Sequence, residues 1–299
     1  MMRTGLSFPQ SLARGAIPLK SARRRLPTYS LGLASGAALT WYFFEPQNRI
    51  AERLNVYADS QQKTPVISHL DVKDGFVVDP STSINFPQTL VPLSLPNSPL
   101  PLVGLGVRTV SFLRVKVYSA GFYLEETALR SLRSQPEWMS FTSDRLTKAT
   151  TAEDGQSVGE ELMEKLLNRP VSCAIRIVPT RNTDFGHLRD GFTRALQARQ
   201  KKAAKDGKLS ADAEERIDVS IQKFKSFFPT SSVPKGKELL LVKTAQNDLA
   251  VEYEGKILGT LGDAWVATEM MVAYFADKNV ISAALKADVA RHLEATIRG

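Results

Sequence analysis

The sequence predicts an α+β fold, an antiparallel sheet covered by helices on one face. Three observations predict it. Strand-like runs rich in β-branched and aromatic residues form an early cluster, from about 100 to 124. A second set of strands closes as a hairpin between 237 and 253. Helical patterns lie between these sets and after them, without the strict βαβ alternation that a doubly wound parallel sheet requires.

The elements follow in chain order. Asp74-Gly75 is a turn signal, and Phe76 to Val78 reads as a short strand after it. Residues 80–102 hold six prolines and several leucines. They read as extended edge segments, because proline is excluded from helix and strand interiors. Gly104 to Leu124 reads as two strands, with Arg114 and Lys116 alternating with Val115 and Val117. Residues 157–168 pattern as an amphipathic helix and 171–179 as a mostly buried strand ending at Pro179. Residues 184–206 form a helix with Phe185, Leu188, Phe192 and Leu196 on one face. The lysine-rich end of that helix, Arg199 to Lys208, reads as a solvated charge run. Residues 211–227 are a further helix, closed by Pro229. Lys237–Thr244 and Leu249–Tyr253 are strands joined by Gln246-Asn247-Asp248, and Gly255 and Gly259 bracket another short one. Residues 262–276 and 280–297 are closing helices.

The 299 residues are 43% hydrophobic and 23% charged, a globular composition. The net charge of +8 is unevenly placed. Six basic residues and no acidic one precede Glu45, which leaves 33 basic against 31 acidic residues in the rest. A nearly neutral body excludes nucleic acid as a partner, which needs a basic face on the folded domain.

Residues 1–30 are rich in arginine and serine and free of acid, the composition of a mitochondrial transit peptide. Residues 31–44 are apolar. With Tyr29 and Ser30 they make 16 residues without charge, about 24 Å of helix and at the short limit for a span. Trp41 and Tyr42 at its end favour a membrane interface. The expectation is a single short anchor in the inner membrane, with the arginines in the matrix and the domain in the intermembrane space. Residues 45–80 then read as a linker and 81–299 as the folded domain.

Cys173 is the lone cysteine, which excludes an intramolecular disulfide. Its apolar surroundings, Val171 to Val178, read as core. His69, His187 and His292 have no partner at metal-ligand spacing and read as surface residues, and no metal site is expected. Gly104-Leu-Gly-Val-Arg108 lacks the third glycine of a dinucleotide fingerprint and leads into a strand, which excludes nucleotide binding. Arg108 itself, after a glycine turn and before an apolar strand, reads either as a surface arginine or as an anion clamp at a cleft mouth. A guanidinium suits the second role because it makes paired hydrogen bonds.

Ile84-Asn-Phe-Pro-Gln-Thr-Leu90, Gly104-Leu-Gly-Val-Arg108 and Lys116-Val-Tyr-Ser-Ala-Gly-Phe-Tyr-Leu-Glu125 together resemble the opening of the chalcone isomerase family. Glu254-Gly-Lys-Ile-Leu-Gly259 and Val280-Ile-Ser282 resemble its closing hairpin and helices. The resemblance covers roughly residues 80–297. With the leader, the chain is similar to the fungal mitochondrial branch called "altered inheritance of mitochondria". The resemblance implies an open-faced β-sandwich, a large antiparallel sheet covered by helices, with a ligand cleft between. It places Arg108 on the family's enolate-polarising arginine and Tyr118 near its threonine. It places Phe185 on the catalytic tyrosine and Phe192 on a substrate-binding asparagine.

Phe185 carries no hydroxyl, and losing an oxyanion donor costs about 2.7–4 kcal/mol. The resemblance therefore implies a non-catalytic protein binding a hydrophobic carboxylate, fatty acid or haem, through Arg108, Tyr118, Phe185 and Phe192. An intramolecular lyase of chalcone isomerase type, with Arg108 catalytic, and an inner-membrane assembly protein stand as alternatives.

Overall fold

The computed structural model describes residues 72–299 apart from 74, 111–112 and 149–158. The leader, the apolar run 31–44, His69 and most of the 45–80 segment lie outside the described residues. No described helix is long and apolar enough to cross a membrane.

Strands β1 (Val72–Lys73), β2 (Phe76–Val78) and β3 (Asn85–Pro87) form a small antiparallel flap. The main sheet has seven strands, all antiparallel to their neighbours. In chain order they are β4 (Thr89–Leu90), β5 (Leu100–Val110), β6 (Val115–Leu124), β7 (Cys173–Pro179), β10 (Leu239–Lys243), β11 (Leu249–Tyr253) and β12 (Lys256–Leu261). In space the order is β12-β11-β10-β7-β6-β5-β4. A two-stranded pair, β8 (Thr183–Asp184) and β9 (Ser232–Val233), stands apart. The α+β reading holds, and β5 begins four residues before Gly104.

Period-two alternation divides the sheet's faces. Tyr118, Ala120, Phe122 and Leu124 of β6, with Cys173, Ile175 and Ile177 of β7, join the larger core under the helices. Tyr123, Ala174 and Val178 face the other way and meet Val77 and Phe86 of the flap. Cys173 is buried as expected, and burial pushes its thiol up to about 12.

The helices are α1 (Glu126–Ser131), α2 (Pro136–Met139), α3 (Ser143–Thr147), α4 (Glu160–Leu167), α5 (Phe185–Lys205), α6 (Ala211–Ser226), α7 (Ala264–Val272) and α8 (Ala283–Arg298). Side-chain caps start the long ones. Asp184 accepts from the His187 amide, Ser210 from Ala213, Asp263 from Val266 and Ser282 from Leu285. Each satisfies an amide the helix cannot pair internally.

Four local readings are corrected. Gly104 and Gly106 are not a turn before a strand but lie inside β5. A Cβ on Gly106 would sit 2.2 Å from the Leu285 amide nitrogen, and one on Gly104 2.7 Å from that of Val289. The glycines therefore let α8 rest directly on the sheet. Gly259 lies within β12 rather than at its end, where a Cβ would meet the Phe227 ring at 2.3 Å. Arg199 is not part of a solvated run: it is 8% exposed, whereas Lys201, Lys202, Lys205 and Lys208 are exposed as expected. His292 is half-buried on α8, and burial lowers its pKa.

Candidate functional site

The cleft is assembled at the end of β5 and the start of β6, where the sheet meets α5 and the segment between α7 and α8. Gly104, Gly106 and Arg108 alternate along β5 and so share the face under α8. The two glycines bring the helix against the strand; the arginine two residues on emerges beside its start. Ser282 fixes that junction. Its hydroxyl caps α8 and donates to the Val107 carbonyl at 3.1 Å. Deeper along β5, Asp288 of α8 accepts from the Leu105 amide at 2.9 Å.

Arg108 pairs with Tyr118 across the β5–β6 ladder. Its guanidinium carbon lies 5.9 Å from the centre of the Tyr118 ring, within cation–π range. Its Nη1 donates to the Ile281 carbonyl at 2.7 Å. The Tyr118 hydroxyl lies 3.2 Å from that of Tyr274, and both side chains are buried. Burial raises the Tyr118 phenol, with Arg108 and the Tyr274 bond opposing. Burial also lifts Tyr274 well above its usual value. Both phenols stay protonated at neutral pH and remain hydrogen-bond donors. With Tyr274 donating to it, the Tyr118 hydroxyl keeps its own proton for the cleft and forms, with the permanently charged guanidinium, a donor set suited to an oxyanion or a carboxylate.

The cleft is lined by Arg108, Val117, Tyr118, Thr183, Leu188, Gly191, Phe192 and Ile281, around a cavity of about 20 Å³. That is the room of roughly one water. Its walls are mainly apolar, and α5 supplies Leu188 and Phe192 one helical turn apart. Arg194, on the same helix, is close enough to Arg108 to feel its charge. Partial burial and Arg108 lower its pKa, while Asp190 opposes.

Of the four ligand residues named from the sequence, Arg108, Tyr118 and Phe192 line this cleft. Phe185 does not line it. It is buried at the start of α5 with its ring edge-on to Tyr253, centroids 4.8 Å apart. Two residues escaped the sequence reading. Tyr274 lies in a run buried on all sides, so no polar–apolar pattern marks it. Arg194 is an ordinary exposed helical arginine until the fold brings it near Arg108. His187 is held by Asp184, Nδ1 to Oδ2 2.7 Å. Among the described residues no three His, Cys, Asp or Glu side chains gather as a metal centre needs.

Comparison with known proteins agrees with this architecture. The chain is 26% identical over 275 residues to a Debaryomyces hansenii protein named Altered inheritance of mitochondria protein 18, mitochondrial, covering 88% of this chain and 86% of that one. A Kluyveromyces lactis protein of the same name is 26% identical over 239 residues, covering 72% and 73%. Among solved structures, the crystal structure of an Arabidopsis thaliana fatty-acid binding protein superposes with a TM-score of 0.56. It covers 75% of this chain and all of that one at 17% identity, a likeness of fold. The family model described as "Chalcone isomerase like" matches residues 98–290, which span β5, the cleft and most of α8, and the chain belongs to that family.

Proposed function

We propose that this chain is a mitochondrial, non-catalytic binding protein whose Arg108 cleft takes a hydrophobic carboxylate, in the first instance a fatty acid. The observation that carries the reading is the meeting of one guanidinium and the protonated Tyr118 phenol, backed by Tyr274, at the end of a mainly apolar cleft. A carboxylate accepts from such donors, and the acyl chain follows Leu188, Phe192 and Ile281. The fatty-acid binding of the Arabidopsis fold neighbour and the mitochondrial names of the fungal relatives support it. Admitting a chain requires those apolar side chains to part, since ligand pockets usually offer about 300 Å³ or more. Arg108 must also exchange the Ile281 carbonyl for the ligand.

Haem does not fit this cleft. No histidine, cysteine or methionine lines it, and Tyr118 is held protonated and bonded to Tyr274.

The test is lipid extraction from the purified protein, followed by laurate titration of the delipidated chain. Bound lipid and saturable laurate binding are expected, with Arg108→Ala weakening affinity by about tenfold or more, the worth of a hydrogen bond to a charged group. A protein that carries no lipid and takes up no laurate overturns the reading. The same donors favour a second reading, an intramolecular lyase that stabilises an enolate at Arg108. Its mark is chalcone turnover abolished by Arg108→Ala. For placement, we propose that 29–44 anchors the domain facing the intermembrane space. Protease digestion of mitoplasts that leaves the C-terminus shielded contradicts that orientation.

A further inference from the structure

A second cavity lies away from Arg108 and shares no lining residue with the first. Helix α4, the C-terminal half of α5, the α5–α6 connection and α7 enclose about 170 Å³. That is comparable to the roughly 150 Å³ cavity that takes a benzene molecule.

Its floor is charged and already paired. Arg199 donates from Nε to Glu269 Oε2 at 2.5 Å and pairs through Nη1 with Glu160. One wall is apolar, made by Ala203, Leu209 and the half-buried Trp265. At the rim Lys208 meets Glu164 at 3.3 Å, and Lys202 reaches Glu160 at 3.2 Å and Asp206 at 3.2 Å. Both lysines keep about half of their side chains in solvent, 51% and 53%.

One polar group in the cavity is unused. Thr268 is 3% exposed and lines the cavity, yet its hydroxyl finds no hydrogen-bond partner among the described residues. A helical threonine can return its hydroxyl to the carbonyl four residues back; this side chain lines the cavity instead. A partner entering the cavity supplies what the fold withholds. Apart from Asp206 beside Lys202, the signs of charge are divided between elements and bridge across the cavity. Carboxylates come from α4 and α7, ammonium groups from α5 and the loop after it. On the acidic side the cations are short. Burial lifts the Glu269 carboxyl above its usual range, Arg199 opposing and Glu164 and Glu160 adding to the lift.

We propose that this cavity binds a small zwitterion of the α-amino-acid class. Its ammonium lies toward Glu164 and Glu269, its carboxylate toward Lys202 and Lys208, and its apolar part against Trp265, with Thr268 completing the hydrogen bonds. A single-sign ligand satisfies one wall and is repelled by the other.

The test titrates the full chain with millimolar leucine and reads tryptophan fluorescence and calorimetric heat. Propylamine, butyrate and inorganic phosphate serve as single-charge controls. A saturable change with leucine and none with the controls is expected. Trp265→Phe removes the fluorescence response while heat remains. Thr268→Val and, independently, Glu164→Gln each weaken leucine by about five- to tenfold, the worth of one hydrogen bond or slightly more. Arg108→Ala leaves leucine binding unchanged, which separates this cavity from the Arg108 cleft. The proposal is overturned if leucine produces no saturable signal. It is equally overturned if a single-charge control binds as well as leucine, or if the folded variants at Thr268 and Glu164 both bind as the unaltered protein does.

Discussion

The Tyr118 and Tyr274 hydroxyls meet at 3.2 Å in a setting where both side chains are buried. One hydroxyl donates within the pair, which leaves the other proton for a ligand. Tyr118→Phe keeps the ring under Arg108 but strands the Tyr274 hydroxyl. The expected outcome is a loss of about 1–3 kcal/mol of stability by urea unfolding and a two- to tenfold weaker affinity for laurate, roughly. Replacing both tyrosines by phenylalanine costs less stability than Tyr118→Phe alone, because no orphaned hydroxyl remains. A double variant less stable than the single one refutes this account of the pair. The sequence made half of this pair visible. Tyr118 sits in an alternating strand next to a recognisable motif. Tyr274 follows Met270, Met271, Val272 and Ala273, all buried, so no stripe shows which face turns toward the cleft.

At the scale of elements, the β5–α8 contact positions the site. Gly106→Ala drives a methyl group into the Leu285 backbone. Backbone cannot rotate away as a side chain can, so the cost is at the upper end of overpacking, about 3 kcal/mol. A reduced urea midpoint with unchanged slope checks it, and an alanine tolerated without loss contradicts the close approach. The glycine spacing was visible in the sequence, but its meaning depended on an element 180 residues later, roughly. Local pattern does not carry such a contact. The short helices α1 to α3 were unread for another reason: runs of four to six residues are too brief to show a period.

His292 of α8 gives the element a pH signature. Burial lowers its folded pKa below the ordinary histidine value of 6.5. Below pH 6.5 the unfolded chain therefore binds the proton first, so stability falls as pH drops from 6.5 toward the folded pKa. His292→Gln removes the titration. Its stability curve is expected to be flatter than that of the unaltered chain between pH 6.5 and 5, and an unchanged slope refutes the assignment.

For the whole molecule, a chain of charge, buried except at Asp277, ties four helices together. Lys286 of α8 donates to Asp277 at 3.0 Å. Asp277 and Glu160 exchange backbone amides and carboxylates at 3.1 and 3.2 Å. Glu160 at the start of α4 pairs with Arg199 of α5, which also holds Glu269 of α7. The sequence did carry the clue. Phe185, Leu188, Phe192, Leu196 and Arg199 are spaced at three or four, so Arg199 continues the apolar stripe inward while the lysines beyond it turn out. Burial alone would raise the Glu160 carboxyl, but Arg199, the Asp277 amide and Lys202 hold it below its usual value. Arg199→Met leaves Glu160 and Glu269 buried with their main cation gone, at an expected cost of about 3–5 kcal/mol near pH 7. The sign of the pH dependence follows. A carboxylate whose folded pKa is depressed stabilises above its unfolded value and loses that contribution as pH falls through the folded pKa. Without Arg199 the depression is lost, so the deficit of the variant is largest at neutral pH. It shrinks as the solution is acidified, first as the two desolvated carboxyls of the variant take up protons above the ordinary carboxylate range, then below it as Glu160 of the unaltered chain loses its own contribution. Urea unfolding of both chains from pH 7 to 4 reads the difference directly. A deficit that stays constant across that range shows that Arg199 acts through packing, and not through the charge that joins the helices.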